Sequence, residues 1–552
     1  MPSFRVIARC STAIAAACGL WAAPASAESL ADAIALAYAH NPVLVGQRLT
    51  QKSTDEAYVQ ARSQYGPTLS LQGQGFYQSL RQPQQDLSGN ITGQTSSTNV
   101  GQATATISQP LYTAGRLRGQ LLSAKANVLG GRENLRNVEQ QVIQNTVTVY
   151  AAVLRDEERV EVGRQNVAVL QEQLRENRER YSRVGDGVGA GDVTLTDVGL
   201  SDSRLANAQI TLASLEAQLA VSRAQYVEVV GQNPGTLDPA PELPGLPRSV
   251  DEAFAAAERD NPGLLASKYS EQAASANAAS VRGELGPSVS LTAQGIYSNR
   301  LFPFSGQLGT KEVVAGVTVT QPLFSAGALR SRVRQADAQT GAAQAAVEQQ
   351  RRATIEAVTE AWSNLASTRV ALSAGQRQVT SAQLAYAGMH REELEGLRST
   401  LDTLNAEQEL ISAQLTLLQN RYEEFVAGAQ LLSAVGALRA EELVDKLDRY
   451  DPAVYFKQVH NRGRTPLEPV AEFVDRIGSA NPRRPLAADL SGADSPVPDV
   501  MPVLPPAPSA AALRDRLVPV TESRLVPASE LPGGLPPAPD LPPAPPPAAP
   551  NK

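Results

Sequence analysis

The chain contains two copies of one structural plan, and this internal duplication restricts the possible folds more than any other feature of its 552 residues. The dipeptide Asn41-Pro42 recurs 220 residues later, and Gly66-Pro67 recurs at the same distance. The segment Gln109 to Gly115 recurs after 212 residues, and Gly191, with Asp197 six positions beyond it, recurs after 205. The matches keep their order while the spacing shrinks, as expected for diverged repeats whose loops differ in length.

The duplication sets the predicted domain boundaries. Repeat 1 covers 28–240 and repeat 2 covers 241–445, with a joint rich in Pro and Gly at 231–247. A C-terminal extension of the core follows at 446–480. The segment 481–552 holds 20 of the 38 prolines, which predicts a disordered or polyproline tail, either passive or reaching toward the cell wall or a partner.

The N-terminus predicts export. Met1 to Ala27 combines Arg5 and Arg9 with an Ala-rich apolar segment and a small-residue cleavage site, as in a secretory signal peptide. A lipoprotein signal acylated at Cys18 is the weaker alternative, because the preceding residues lack the usual leucine. Both cysteines lie inside this signal, so we expect no disulfides in the mature chain. Mature counts of 47 basic and 56 acidic residues argue against a nucleic-acid partner.

Each repeat opens with a short helix, Leu30 to His40 or Val250 to Arg259, and a second helix up to the Gly-Pro dipeptide. Alternating apolar and polar residues then predict strands with one face in an apolar medium. These strands are predicted at 68–77, 100–112, 288–297 and 313–324. A length of about 10 residues suits a tilted strand that crosses a bilayer, and a half-buried soluble hairpin is the alternative. Aromatic residues near the strand ends, predicted to form an interfacial girdle, are Phe76, Tyr77, Tyr112, Tyr297, Phe302 and Phe324.

Long helices follow the strands in each repeat. Ala114 to Val184 contains no proline and would extend about 105 Å as a helix. Apolar residues recur there every seven positions, and repeat 2 shows a cleaner series with steps of three and four. This period predicts helices packed side by side as in coiled coils. The repeat-2 series is Leu401, Leu404, Gln408, Ile411, Leu415, Leu418, Tyr422, Phe425, Ala429 and Leu432.

The fold class predicted from these patterns is an α+β membrane protein built from two repeats. Four strands per chain are too few to close a membrane barrel, since the smallest known barrels need about eight. Three copies would supply 12 strands, so we expect a homotrimeric β-barrel in a lipid bilayer, continuous with a coiled-coil α-helical barrel.

The residues from Leu30 to His460 resemble the TolC family of outer-membrane export channels. Their sequence is more similar to the type I secretion branch of that family than to its drug-efflux branch. The resemblance implies a homotrimer in the outer membrane that extends into the periplasm. It also implies a periplasmic adaptor, an inner-membrane ABC transporter and a secreted protein cargo. The motifs that carry it are Arg391-Glu392-Glu393, Gly396, Arg398, Leu401-Asp402, Leu404 to Leu410, Ala413, Arg421-Tyr422, Val426-Ala427-Gly428, Leu431 to Gly436 and Tyr450-Asp451-Pro452.

The same resemblance implies a gate at the periplasmic tip. Thr196, Asp197 and Arg398 match positions that link the helix pairs, and Asp402 matches a ring of carboxylates at the constriction. Asn405 stands where the family often has a second aspartate, so we expect a less acidic ring. Physically, three-fold symmetry would place three copies of one carboxylate around a narrow pore and favour cations.

Helix capping is the alternative role for these acids. Ser399 to Asp402 resembles a capping box, and an acid in the first turn of a helix interacts favourably with the helix dipole. Both roles are compatible in one residue.

No catalytic, metal or cofactor site is expected. His40, His390 and His460 are dispersed, and the mature chain has no cysteine. The glycine-rich segment Gly185 to Asp192 fits neither a calcium loop nor a phosphate loop and is interpreted as a hairpin turn within reach of the adaptor. Two rival functions remain at this point: a multidrug efflux channel, and a periplasmic coiled-coil scaffold that has no pore and no alternating strands.

Overall fold

A computed structural model describes residues 28–85, 89, 91–185, 193–300, 309–444 and 447–477. The predicted signal peptide, the turn after Gly185 up to Asp192, Phe302 and the Pro-rich tail lie outside the described residues.

The described residues form the same order of elements twice, which confirms the predicted α+β class with two repeats. Repeat 1 contains α1 (Leu30–His40), α2 (Pro42–Ser63), β1 (Thr68–Gln85), β2 (Ile91–Tyr112), α3 (Arg116–Gly185) and α4 (Leu195–Val230). Repeat 2 contains α5 (Val250–Asp260), α6 (Pro262–Gly283), β3 (Ser288–Arg300), β4 (Thr310–Thr320), α7 (Ala328–Leu394) and α8 (Thr400–Val435). Three short helices follow, α9 (Ala440–Leu443), α10 (Pro452–Val459) and α11 (Glu468–Arg476).

The repeated Asn-Pro dipeptide forms the same junction in each repeat. Asn41 ends α1 and caps α2, whose N–H of Val43 donates to its side chain at 3.0 Å. The Asn41 side-chain amide also donates to the carbonyl of Val229, at the end of α4, at 3.0 Å. Asn261 repeats this arrangement by donating to the carbonyl of Ala434, near the end of α8, at 2.9 Å. The dipeptide therefore fixes each pair of short helices to the return helix of its own repeat, and proline suits the first helical position because its missing N–H is not needed there.

The four strands form one antiparallel sheet in the order β1-β2-β3-β4. Its register brings residues of equal parity together, because Leu71 pairs with Ala105, which pairs with Gly295 and then Val313. The polar parity is equally aligned, since Gln72 pairs with Thr104. One face of the sheet is therefore apolar and the other polar, as the alternation predicted. This sheet rules out the scaffold alternative, which predicted no alternating strands.

The strand lengths differ from the prediction. The strands β1 and β2 have 18 and 22 residues, because the polar segments around Ser79 and Ser97 continue the ladder beyond the apolar part. The strand β4 ends at Thr320 and not at Phe324. Its counterpart β2 continues through Pro110 to Tyr112, where β3 pairs with it, whereas Pro322 lies beyond the last pair of β4 with β3, Thr320 with Ser288.

Two hydrophobic cores lie against the short helices α1 and α5, and the first also includes Ala429 and Leu432 of α8 in repeat 2. In repeat 1, α1 packs against α3 and α4 around Ile34, Val147 and Tyr226, all nearly inaccessible to solvent. In repeat 2, α5 packs against α7 and α8 around Val358 and Leu431. Within the part of the chain that is described, no helix is both long enough and apolar enough to cross a bilayer.

The two repeats meet where α3 crosses α6. A Cβ on Gly119 would lie 2.5 Å from the backbone nitrogen of Ser280, and a Cβ on Gly283 would lie 2.7 Å from that of Arg116. The Ser280 hydroxyl donates to the carbonyl of Arg116 at 2.8 Å. Glycine is required at this crossing because the two backbones leave no space for a side chain.

Candidate constriction at the hairpin tips

Both return helices begin with the same local structure at the hairpin tips. Thr194 caps α4, and its N–H and hydroxyl donate to the Asp197 carboxylate at 2.8 Å and 2.7 Å. Ser399 caps α8 in the same way, with its hydroxyl 2.8 Å from the Asp402 carboxylate. The backbone N–H of each aspartate donates to the capping hydroxyl, which completes a capping box. The alternative role in capping is therefore confirmed for both aspartates.

Arg398 lies in the turn between α7 and α8, where its Nε is 3.0 Å from a carboxylate oxygen of Glu392. Gly396 makes this turn possible with a φ of 75°, and the N–H of Leu397 donates to the carbonyl of Glu392 at 2.8 Å. Among the described residues, no hydrogen bond or ion pair joins Arg398 to Thr196 or Asp197 within one chain. Thr196 is exposed at the start of α4.

Asn405 takes part in the link that joins the two hairpins. Nη2 of Arg204, on α4, donates to Oδ1 of Asn405, on α8, at 3.0 Å. Arg204 was not predicted from the sequence, although it lies seven residues after Asp197 and so two helical turns along the same face. The observed bond between the repeats therefore lies farther from the hairpin turns than the predicted gate residues Thr196, Asp197 and Arg398.

Apolar side chains beneath this link hold three helices together. Leu170 of α3, Ala208 of α4 and Leu404 of α8 form a buried cluster. A buried hydrogen bond also joins the two helices of the first hairpin: the Asn177 amide of α3 donates to the Ser201 hydroxyl of α4 at 2.9 Å. The tip is thus a packed bundle whose helices are joined by few polar contacts.

Glu407 is a further site residue that the sequence did not single out as ionisable. It lies one turn beyond Thr403 on α8, is only 4% exposed, and has one carboxylate oxygen without a hydrogen-bond partner. Burial raises the pKa of Glu407 to about 7, and a hydrogen bond from Gln173 of α3 offsets part of this effect. The neighbouring Tyr386 of α7 has its pKa raised by its own burial and by the Glu407 charge. The predicted apolar series of α8 passes through Gln408, which is exposed, and not through its buried neighbour Glu407, so the series gave no signal for this residue.

Between the two hairpins at this level, the polar contacts that the described residues make are those from Arg204 to Asn405 and from Gln173 to Tyr386 and Glu407. Among the described residues, no cluster of three histidine or acidic side chains is arranged to hold a metal ion. The predicted girdle residues Tyr77 and Tyr297 lie on the apolar face of the sheet and are 68% and 44% exposed.

Comparison with known proteins identifies this arrangement. The sequence profile of the family described as "Outer membrane efflux protein" matches residues 33–232 and 254–437, one segment in each repeat. The outer membrane efflux protein BepC of Brucella suis is 31% identical over 440 residues, covering 79% of this chain and 92% of BepC. The outer membrane protein TolC of Escherichia coli is 23% identical over 495 residues, covering 86% of this chain and 92% of TolC.

A relative with a secretion name is also similar. The alkaline protease secretion protein AprF of Pseudomonas aeruginosa is 24% identical over 354 residues, covering 62% of this chain and 70% of AprF. Among solved structures, the outer-membrane channel OprN superposes with a TM-score of 0.63 at 21% identity, covering 74% of this chain and 90% of OprN. Because the sequence identity to OprN is 21%, this superposition shows the shared fold alone.

Proposed function

The chain belongs to the outer membrane efflux protein family, and from this premise we propose that three copies form the exit channel of a type I protein secretion system. Family membership places the chain in the outer membrane, with its helices extending into the periplasm. It is a passive channel and not an enzyme.

The two-faced sheet with free edges is the observation that carries the proposal. The apolar face suits lipid and the polar face suits a water-filled pore. Both β1 and β4 have one edge unpaired in the single chain, and a bilayer cannot satisfy their free N–H and C=O groups. Pairing β4 of one copy with β1 of the next removes these edges, and three copies close a ring of 12 strands.

The duplication supports the same assembly in the helices. Tyr269 of α6 lies against Gly130 of α3, with 3.3 Å between its Cβ and the position of an added Gly130 Cβ. Its counterpart 220 residues earlier is Leu49 of α2, which is 58% exposed. A contact that α3 makes with α6 inside the chain would then be repeated by α7 with α2 of the neighbouring copy, and Leu49 would be covered.

The choice of type I secretion rests on the sequence of the second hairpin, which resembles that branch around Leu404 to Leu410. The similarity to AprF agrees with it. In this proposal the channel receives a protein cargo from an inner-membrane ABC transporter through a periplasmic adaptor. The alternative is the outer-membrane part of a multidrug efflux pump, which the name of BepC favours.

Deletion of the gene from its host separates the two pathways. Type I secretion predicts that one or more proteins disappear from the medium and accumulate in cells, while minimum inhibitory concentrations of drugs stay unchanged. An increase in drug susceptibility with an unchanged set of secreted proteins would contradict the type I proposal and favour efflux.

At the tip, we propose that Asp402 and Asn405 line the constriction and that Thr196, Asp197 and Arg398 contribute to its closure. The capping bonds leave this possible, because each aspartate is partly exposed while it caps its helix. The bond from Arg204 to Asn405 is a polar contact between α4 and α8 at this level, beside the buried contact of Ala208 with Leu404.

Single-channel conductance in planar bilayers tests the closure. Arg204→Ala should raise the conductance by removing the link between the hairpins, and Asp197→Ala combined with Arg398→Ala should raise it further. Arg164→Ala is the matched control, because Arg164 pairs with Glu216 inside the first hairpin at 3.0 Å. Conductance of the Arg204 variant equal to that of this control would contradict the proposed role of the link.

A further inference from the structure

The helix α11 has its polar and apolar faces reversed relative to a helix on a water-exposed surface. Its side toward the protein carries Glu468 and Asp475, which are 4% and 1% exposed. Its outward side is apolar, with exposed fractions of 53% for Leu467, 59% for Val470, 64% for Phe473 and 62% for Ile477. A surface helix in water normally buries the apolar stripe and exposes the charges.

The buried acids fix α11 firmly in this orientation. Glu468 forms an ion pair with Arg62 of α2, with 2.9 Å between Oε1 and Nε and both side chains below one-tenth exposure. Asp475 accepts from the N–H of Thr113 at 2.6 Å, from its hydroxyl at 2.9 Å and from the N–H of Gly115 at 3.1 Å. The hydroxyl of Tyr65 donates to the other carboxylate oxygen at 3.2 Å. These contacts hold α11 in this orientation, because rotating the helix would break the ion pair and leave Arg62 buried without its partner.

These anchors place α11 where the sheet meets the long helices. Thr113 directly follows Tyr112, the last residue of β2. Tyr112 pairs with Val289, which pairs with Val319, so the apolar face of the sheet reaches this level. The side chain of Val319 is 65% exposed. The helix α11 therefore lies beside the end of β2, at the level where the apolar face of the sheet ends.

We propose that the outward face of α11 lies on the periplasmic leaflet of the outer membrane and contacts phospholipid acyl chains. A short amphipathic helix with aromatic and aliphatic residues on one face binds in the interface plane of a bilayer. Arg462 and Arg464, both exposed just before the helix, suit the phosphate groups of the same leaflet. The inference rests on the outer-membrane location of the family and does not depend on the cargo or on the gate.

Tryptophan quenching by brominated lipid tests the contact. The full-length chain carries Phe473→Trp together with Trp362→Phe, which removes the one tryptophan beyond the predicted signal. The purified channel is reconstituted in phosphatidylcholine vesicles with or without bromine on the acyl chains. Loss of the indole emission of the Phe473→Trp variant in the brominated vesicles is the expected result. The matched control is Leu384→Trp in the same background, because Leu384 is 77% exposed on α7 and lies about 84 Å along the helix from its start.

Equal emission of the Phe473→Trp variant in the two lipids, as for the unquenched Leu384→Trp control, would overturn the proposal. Protection of this face by a second copy would appear as crosslinking through a cysteine placed at position 473. Cover by residues 478–552 of the same chain would appear as quenching only after their removal. Either result overturns the lipid contact. If Phe473→Trp fails to assemble, Val470→Trp on the same face gives an independent reading.

Discussion

At the residue scale, the tip of the molecule combines ordinary helix caps with one unusual acid. Asp197 and Asp402 are held by capping hydroxyls, an arrangement that remains compatible with a position beside a pore. Glu407 differs because it is buried between α3, α7 and α8 with an unpartnered oxygen. A charged carboxylate there is unfavourable, so the packing of the tip depends on the protonation of Glu407.

Glu407→Gln should stabilise the folded channel at alkaline pH. The unfolded glutamate titrates near 4.5 and the folded one at about 7. The folded chain therefore retains a proton between these values that the unfolded chain releases, so wild-type stability falls as pH rises from about 4.5 to about 7. Glutamine does not titrate, so Glu407→Gln should raise the free energy of unfolding by about 3 kcal/mol per chain at pH 8 and change it little at pH 4.

Thermal melting in detergent across this pH range measures the effect. Glu409→Gln is the control, because Glu409 is exposed on the same helix. Parallel pH profiles for wild type and Glu407→Gln would contradict the assignment of the buried charge.

At the element scale, close helix crossings determine how the two repeats fit together. Gly119 and Gly283 allow α3 and α6 to approach until their backbones are in contact. Because helices with large side chains pack farther apart, about 8–10 Å between axes, residue size at these positions sets the spacing of the tunnel wall.

Gly283→Ala should destabilise the channel by about 1–3 kcal/mol, because the added methyl would meet the backbone of Arg116 and force α3 and α6 apart. Gly388→Ala is the matched control, since an added Cβ on Gly388 of α7 meets nothing within 4 Å. There alanine should leave stability equal or raise it by up to about 1 kcal/mol. Equal melting temperatures for the two variants would show that the crossing tolerates a side chain.

At the scale of the whole molecule, the single chain leaves surfaces that only assembly can cover. The sheet has two free edges, and α2 exposes Leu49 where its counterpart in repeat 2 is packed. Both features agree with the proposed assembly, in which each repeat contacts the next around a closed ring.

Leu49→Asp should weaken this assembly, because it would place a carboxylate in the contact between α2 and the α7 helix of the next copy. Mass measurement in detergent should give three copies for the wild type and a smaller assembly for the variant. Val454→Asp, on the exposed side of α10, serves as the control and should remain trimeric. A monomeric wild-type channel would contradict the proposed assembly itself.

The sequence by itself determined the features that depend on local periodicity. Alternation in β1 to β4 established two faces, the apolar series of α8 established side-by-side helices, and the segment from Ser399 to Asp402 marked the start of α8. These signals act over a few residues, so they can be interpreted without knowing the rest of the chain.

Only the tertiary structure decided which distant residues meet. Asp475 binds Thr113 across 362 positions, and Arg204 reaches Asn405 across 201. The reversed faces of α11 and the burial of Glu407 depend in the same way on how long helices are registered against one another. A shift of one residue along a helix turns each side chain by about 100°, so local sequence cannot specify these contacts.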